Sequence, residues 1–148
     1  MRRPRAAGGP DAGNASVEFL GVALLLMVPL VYLVVVLGRL QGAAMATDTA
    51  ARHAVRVFAA ADPDLAGPAA TAVTDLALAD HGFGAGEGTL TMQCSADPCH
   101  VPGAGVTAVV AIDVDLPGVP GFLRDAVPVR IPVSSRATGA VDNFREGP

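Results

Sequence analysis

Hydrophobic and polar positions divide this chain into stretches of different period. From Phe19 to Gly38 there is no period: twenty consecutive residues carry no charge, and Tyr32 is their one polar side chain. At about 1.5 Å rise per residue a helix of that length spans about 30 Å, the hydrocarbon thickness of a bilayer. In lipid every backbone polar group must be satisfied within the segment, so a single apolar run has to be helical. Pro29 removes one intrahelical hydrogen bond and predicts a bend. From Gln41 to Ala61 a helical period emerges, with Ala44, Thr47, Ala51, Ala54, Val55 and Phe58 forming a mildly apolar stripe. Asp48, Arg52 and Arg56 share another face, and Asp48 stands four residues before Arg52 as an ion-pairing couple. The spacing predicts one helix that leaves the apolar span and continues to about Ala61.

Asp62-Pro63-Asp64 ends that helix. A second one is predicted from about Ala69 to Asp80, with Ala69, Ala72, Val73 and Leu76 as its inner stripe. His81 suits the negative end of a helix dipole, and Gly82 suits the left-handed position just past a C-terminus. Gly82 to Gly88 is a glycine-rich linker without the strand, helix or Lys-Ser/Thr ending of a nucleotide loop. Beyond it the period drops to two. Leu90, Met92 and Cys94 alternate with Thr89, Thr91 and Gln93. Val106, Ala108, Val110, Ile112, Val114 and Leu116 alternate with Thr107, Val109, Ala111, Asp113 and Asp115. A third run, Val127 to Arg136, places Val129, Ile131, Val133 and Ser135 on one side. Alternation of this kind predicts an antiparallel sheet with one packed and one wet face. Pro128 and Pro132 lack a ladder donor, so the third strand belongs at an edge. Pro117 to Ala126 would join the last two strands. The fold class is therefore α+β: a long apolar N-terminal helix with an external continuation, a second short helix and a small antiparallel sheet.

Composition narrows the function classes. The 148 residues suffice for one membrane helix and one small external domain. All ten basic residues are arginine and the net charge is −4. Arg2, Arg3 and Arg5 against Asp11 give the first thirteen residues +2, so their removal would leave −6. An acidic external part with few aromatics argues against a nucleic-acid partner. The arginines before the span also set its orientation: the positive-inside rule places the N-terminus in the cytoplasm and everything after Arg39 outside. Cys94 and Cys99 then face an oxidising compartment, where a disulfide is the expected fate of the pair. Ser95-Ala96-Asp97-Pro98 between them is turn chemistry. A metal site using His100 is the alternative, but Cys-x4-Cys-His lacks a fourth ligand. On the wet face Asp113 and Asp115 stand two apart; Arg130 pairing across strands and a metal-binding Asp-x-Asp both remain open. His53, His81 and His100 belong to no nucleophile–base motif, so the chain reads as a non-enzyme without a cofactor or small-molecule substrate.

One acid stands apart from this pattern. Glu18 lies at the mouth of the uncharged run, where a carboxylate is costly and points to function. It is the fifth residue after Gly13 in Gly13-Asn14-Ala15-Ser16-Val17-Glu18-Phe19. A short basic leader ending in glycine, then four residues, a glutamate and an aromatic, resembles the TadE-like branch of type IVb pilins and pseudopilins. The motif covers Gly13 to Phe19, and the family-like helix extends to about Ala61. Ala12 departs from the pattern, because many such leaders place a basic residue next to the cut.

The resemblance implies a processing site between Gly13 and Asn14, cut by a prepilin peptidase, with Asn14 as the new N-terminus. It implies an assembly role for Glu18, followed by the aromatic Phe19. It divides the chain into a leader (1–13), a membrane helix with its extension (14–61, span about 19–38) and an external domain (62–148). The expected protein is a single-pass membrane pseudopilin of a tight-adherence pilus or related secretion system. Its partners would be membrane lipid, the peptidase, other pilins and the secretion machinery. Two other readings stay open: a membrane-anchored extracellular binding module, and a secreted protein released by signal-peptide cleavage after Ala44-Met45-Ala46. Glu18 itself has a plainer alternative as a helix N-terminal cap.

Overall fold

The computed structural model describes residues 14–118 and 129–144. Five elements follow in order: α1 (Asn14–Ala60), α2 (Pro63–Ala79), β1 (Gly88–Cys94), β2 (Gly105–Asp115) and β3 (Arg130–Ala140). The chain divides into two units between Leu37 and Gly38, and each is described by itself. The first unit is the leading part of α1. The second carries the rest of α1, α2 and a three-stranded antiparallel sheet of order β1-β2-β3. This is the α+β layout expected from the change of period along the chain.

From Gly38 onward, α1 and α2 cover one face of the sheet. The interface on α1 is built almost entirely of alanine: Ala43, Ala46, Ala50, Ala51 and Ala54 are fully buried. The first four meet Val110, Ile112 and Val114 on the central strand, and Ala54, Val55 and Phe58 extend the core to Val106, Ala108 and Val141. Side chains this small let a helix backbone lie close to a sheet, at interior packing density. At Gly139 any Cβ would run into the side chain of Val55. The expected stripe is right at Thr47, Ala51, Ala54, Val55 and Phe58 and wrong at Ala44, which is exposed. Its true partners are Ala43, Ala46 and Ala50.

The second helix departs further from expectation. It begins at Pro63, not near Ala69, with Asp62 as N-cap residue and proline in the first turn, where its missing N–H costs nothing. It then runs through Pro68. Its buried face is Ala66, Ala70, Thr74, Ala77 and Leu78, whereas Leu76 and Ala72 from the predicted stripe are exposed. A helix with alanine on several sides carries little directional signal, so tertiary packing decided the face. The C-terminus is as expected. Gly82 takes φ +82°, and the N–H groups of Gly82 and Phe83 return to the carbonyls of Ala79 and Leu78. That pair of bonds is a Schellman closure.

In the sheet, Leu90, Met92 and Cys94 of β1 and Val106 to Val114 of β2 point alternately to the helices, as the period of two requires. Leu116 prolongs the ladder by one bond to the carbonyl of Val129, at 2.8 Å. β3 is an edge strand, as its prolines demand. Val141 donates to Ala104, which fixes the ladder phase, so even-numbered β3 residues turn their N–H away from β2. Pro132 is one of these, and its missing donor falls where no partner strand needs it. The strand outlasts the predicted end at Arg136 by four residues, through Ala137-Thr138-Gly139-Ala140. Pro128 and nearly all of the connection from Pro117 to Ala126 lie outside the described residues.

Candidate functional site

The apolar stem is the first candidate. α1 is unbroken through Pro29 and past Arg39, and its most apolar eighteen-residue window has a mean hydropathy of 2.9 with none of its residues buried. Length and composition are those of a helix able to cross a membrane; an N-terminal signal sequence would share them. Glu18 and Phe19 are both exposed on this helix. Glu18 lies four residues beyond Asn14, about 6 Å along the axis, and the first turn holds no acid. Among the described residues Glu18 has no ion-pair or hydrogen-bond partner. Gly13, the expected leader terminus, lies outside the described residues, and Asn14 is the first residue of α1.

The second candidate is the cysteine loop. Cys94, the last residue of β1, is disulfide-bonded to Cys99, as expected in preference to a metal. The loop is also fastened to β2: Ser95 N–H donates to the carbonyl of Gly105, and Gly105 N–H donates to Ser95 Oγ at 2.8 Å. His100 follows the bridge, and its ring stacks on Phe58 with centroids 4.9 Å apart. Its Nε2 reaches the Phe58 carbonyl at 2.9 Å. That carbonyl belongs to the last turn of α1, where no intrahelical donor remains, so His100 satisfies an otherwise orphaned acceptor. Among the described residues the histidine thus serves to close a helix end. Nothing in the sequence pointed to this role, because the two residues are 42 positions apart.

Thr47 is a second polar link that the sequence concealed. Its hydroxyl is buried on α1, 3.0 Å from the Ala43 carbonyl and 2.9 Å from Ser135 Oγ on β3. A hydroxyl has one proton and two lone pairs, so with Thr47 donating to the helix carbonyl its oxygen is free to accept from Ser135. The bond ties the helix to the edge strand within an otherwise alanine-lined interface.

The remaining predicted chemistry lies on the surface. Arg52 donates to Asp48 at 2.9 Å, and this bond with the nearby negative charge raises the guanidinium above its ordinary pKa. Arg130 donates to Asp115 at 3.0 Å across β2 and β3, as expected. Both pairs are exposed and screened by water. His53 and His81 are exposed on the rim of a shallow groove of about 200 Å³ between α1 and α2, with Asp80 and Leu76. Among the described residues no three His, Cys, Asp or Glu side chains gather as a metal-holding group.

Fold and site together define an α+β chain with one long apolar helix near its N-terminus and a disulfide in the unit that follows it. Compared with known proteins, the chain matches no family model, no curated protein and no solved structure.

Proposed function

We propose that this chain is a TadE-like membrane pseudopilin, a structural or assembly component of a tight-adherence type IVb pilus or related secretion system. The observation that carries the reading is the solitary Glu18, five residues after Gly13 and directly before twenty uncharged residues of one helix. A prepilin peptidase cutting after Gly13 creates a positive amine on Asn14. In an assembly, Glu18 of one subunit pairs with that amine on a neighbour, which offsets part of the cost of holding a carboxylate against lipid. The N-terminus is cytoplasmic and the external unit extracytoplasmic, in keeping with three arginines before the span and with a cystine after it. The role is one of assembly, without catalysis.

Packing argues against the secreted alternative. Cleavage after Ala46 would remove Ala43 and Ala46, both fully buried, from the core that α1 forms with the sheet. Replacing Glu18 with Gln tests the proposal. The variant should insert in the membrane as the parent does and fail to enter the pilus machinery; incorporation at the parental level would overturn the assembly role.

A further inference from the structure

Within the second unit, two loops stand at opposite ends of the packed part of α1. The cystine loop meets its far end, where His100 bonds the Phe58 carbonyl. The Gly82–Gly88 loop sits at its near end, and both ends of that loop rest on Leu78. Phe83 N–H donates to the Leu78 carbonyl at 3.1 Å, and a Cβ on Gly88 would run into the Leu78 side chain. Leu78 is buried in one cluster with Ala43 and Ala46, against which Leu40 and Phe83 also pack. Leu40 stands two residues after Gly38, the last of the uncharged run. Two residues of chain reach at most about 7 Å, so covalent connection alone keeps Leu40 beside the end of that run. Phe58 lies roughly 27 Å further along the helix.

We propose that the Gly82–Gly88 loop lies on the lipid headgroups of the membrane that residues 19–38 cross, giving this unit a second contact with the bilayer besides α1. The inference rests on the reading of that run as a membrane span and on nothing specific to pili. Position names the occupant: an element packed beside the first turn of α1 after the span has the headgroup layer as its neighbour. The loop's chemistry fits. Gly84, Ala85 and Gly86 are exposed, and the N–H groups of Ala85 and Gly86 have no protein acceptor among the described residues. Headgroup phosphates can accept from them, and no large side chain holds that backbone away from a flat surface. The loop's one carboxylate is folded back onto it. Glu87 accepts from Gly84 N–H at 2.9 Å, while its own N–H donates to the Gly84 carbonyl at 3.2 Å. Exposed Arg39, directly after the run, adds a guanidinium for the same phosphates.

Fluorescence quenching of the full-length protein in phosphatidylcholine vesicles tests the contact. The chain has no tryptophan, so one introduced residue reports one position. Ala85→Trp marks the loop, Val101→Trp marks the cystine loop at the far end of α1, and Leu33→Trp marks the stem. A spin label on the lipid headgroup should quench Ala85→Trp several-fold more than Val101→Trp, and aqueous iodide should show the reverse order. The same ring at both positions carries the same affinity for interfaces, so the difference reports the place of each loop. A label deep in the acyl chains should quench Leu33→Trp most. Mass spectrometry of the Cys94–Cys99 bridge confirms that each variant has folded. If Leu33→Trp is quenched by the deep label while Ala85→Trp is as open to iodide as Val101→Trp, the loop contact is wrong and the span stands. If lipid labels leave Leu33→Trp unquenched, the span itself fails and the contact falls with it.

Discussion

The two parts of α1 are one helix by backbone and two materials by side chain. Between Phe19 and Leu37 it carries large apolar residues on every side, all outside any protein core. Between Ala43 and Phe58 its apolar side chains are mostly alanine, and those on one face vanish beneath the sheet. Bulk without direction suits a solvent that is itself apolar on all sides; small size with direction suits a close-packed interface. The same helix is therefore long and apolar enough to cross a membrane at one end and packs small side chains on its own sheet at the other.

Charge should break this comparison most forcefully. Leu26→Arg at the middle of the span should lose membrane insertion, at a cost of about 2.5–3.5 kcal/mol on insertion scales. Met45→Arg, on an exposed side of the packed part, should change stability by less than about 0.5 kcal/mol. Alkaline extraction of membranes, followed by thermal unfolding of the detergent-solubilised chain, separates the two effects. Volume comes next. Ala50→Leu should overpack the helix–sheet interface and destabilise the helix–sheet unit by about 1–3 kcal/mol, whereas Leu33→Val in the stem should leave its unfolding midpoint unchanged. Smallest is Thr47→Val, which strands the Ser135 hydroxyl and should cost about 1 kcal/mol. Hydrogen exchange should report it as faster opening of β3 near Ser135, with β1 unaffected.

Legibility in the sequence followed the strength of each physical signal. The stem was legible because twenty uncharged residues make a helix long and apolar enough to cross a membrane. The strands were legible because β-branched and threonine positions alternate cleanly, and Pro132 announced an edge because a missing donor has only one harmless place to go. Gly82 marked a helix end for a similar steric reason. Alanine gave the weakest signal. It is neutral enough to lie on any face, so the inner sides of α1 and α2 were settled by contacts that no local period encodes. β3 outlasted its predicted end because Gly139, a poor strand residue by propensity, is required by the close approach of Val55. The closures made by His100 on Phe58 and Ser135 on Thr47 join residues 42 and 88 positions apart, and spacing rules carry no information at that range.

For the candidate site the sequence supplied the residues and the fold supplied their setting. Glu18 and Phe19 were singled out by position in the chain, and the structure places both exposed on the apolar helix. Cys94 and Cys99 were paired by compartment and turn chemistry, and the bridge is present.

The mature N-terminus is the most direct measure of the central claim. Sequencing the membrane-bound protein from cells that possess a prepilin peptidase should begin Asn-Ala-Ser-Val-Glu, with Glu18 as the fifth residue. An intact chain beginning at Met1 would reduce the stem to a plain membrane anchor, and a chain beginning at Thr47 would show that it had been a signal peptide.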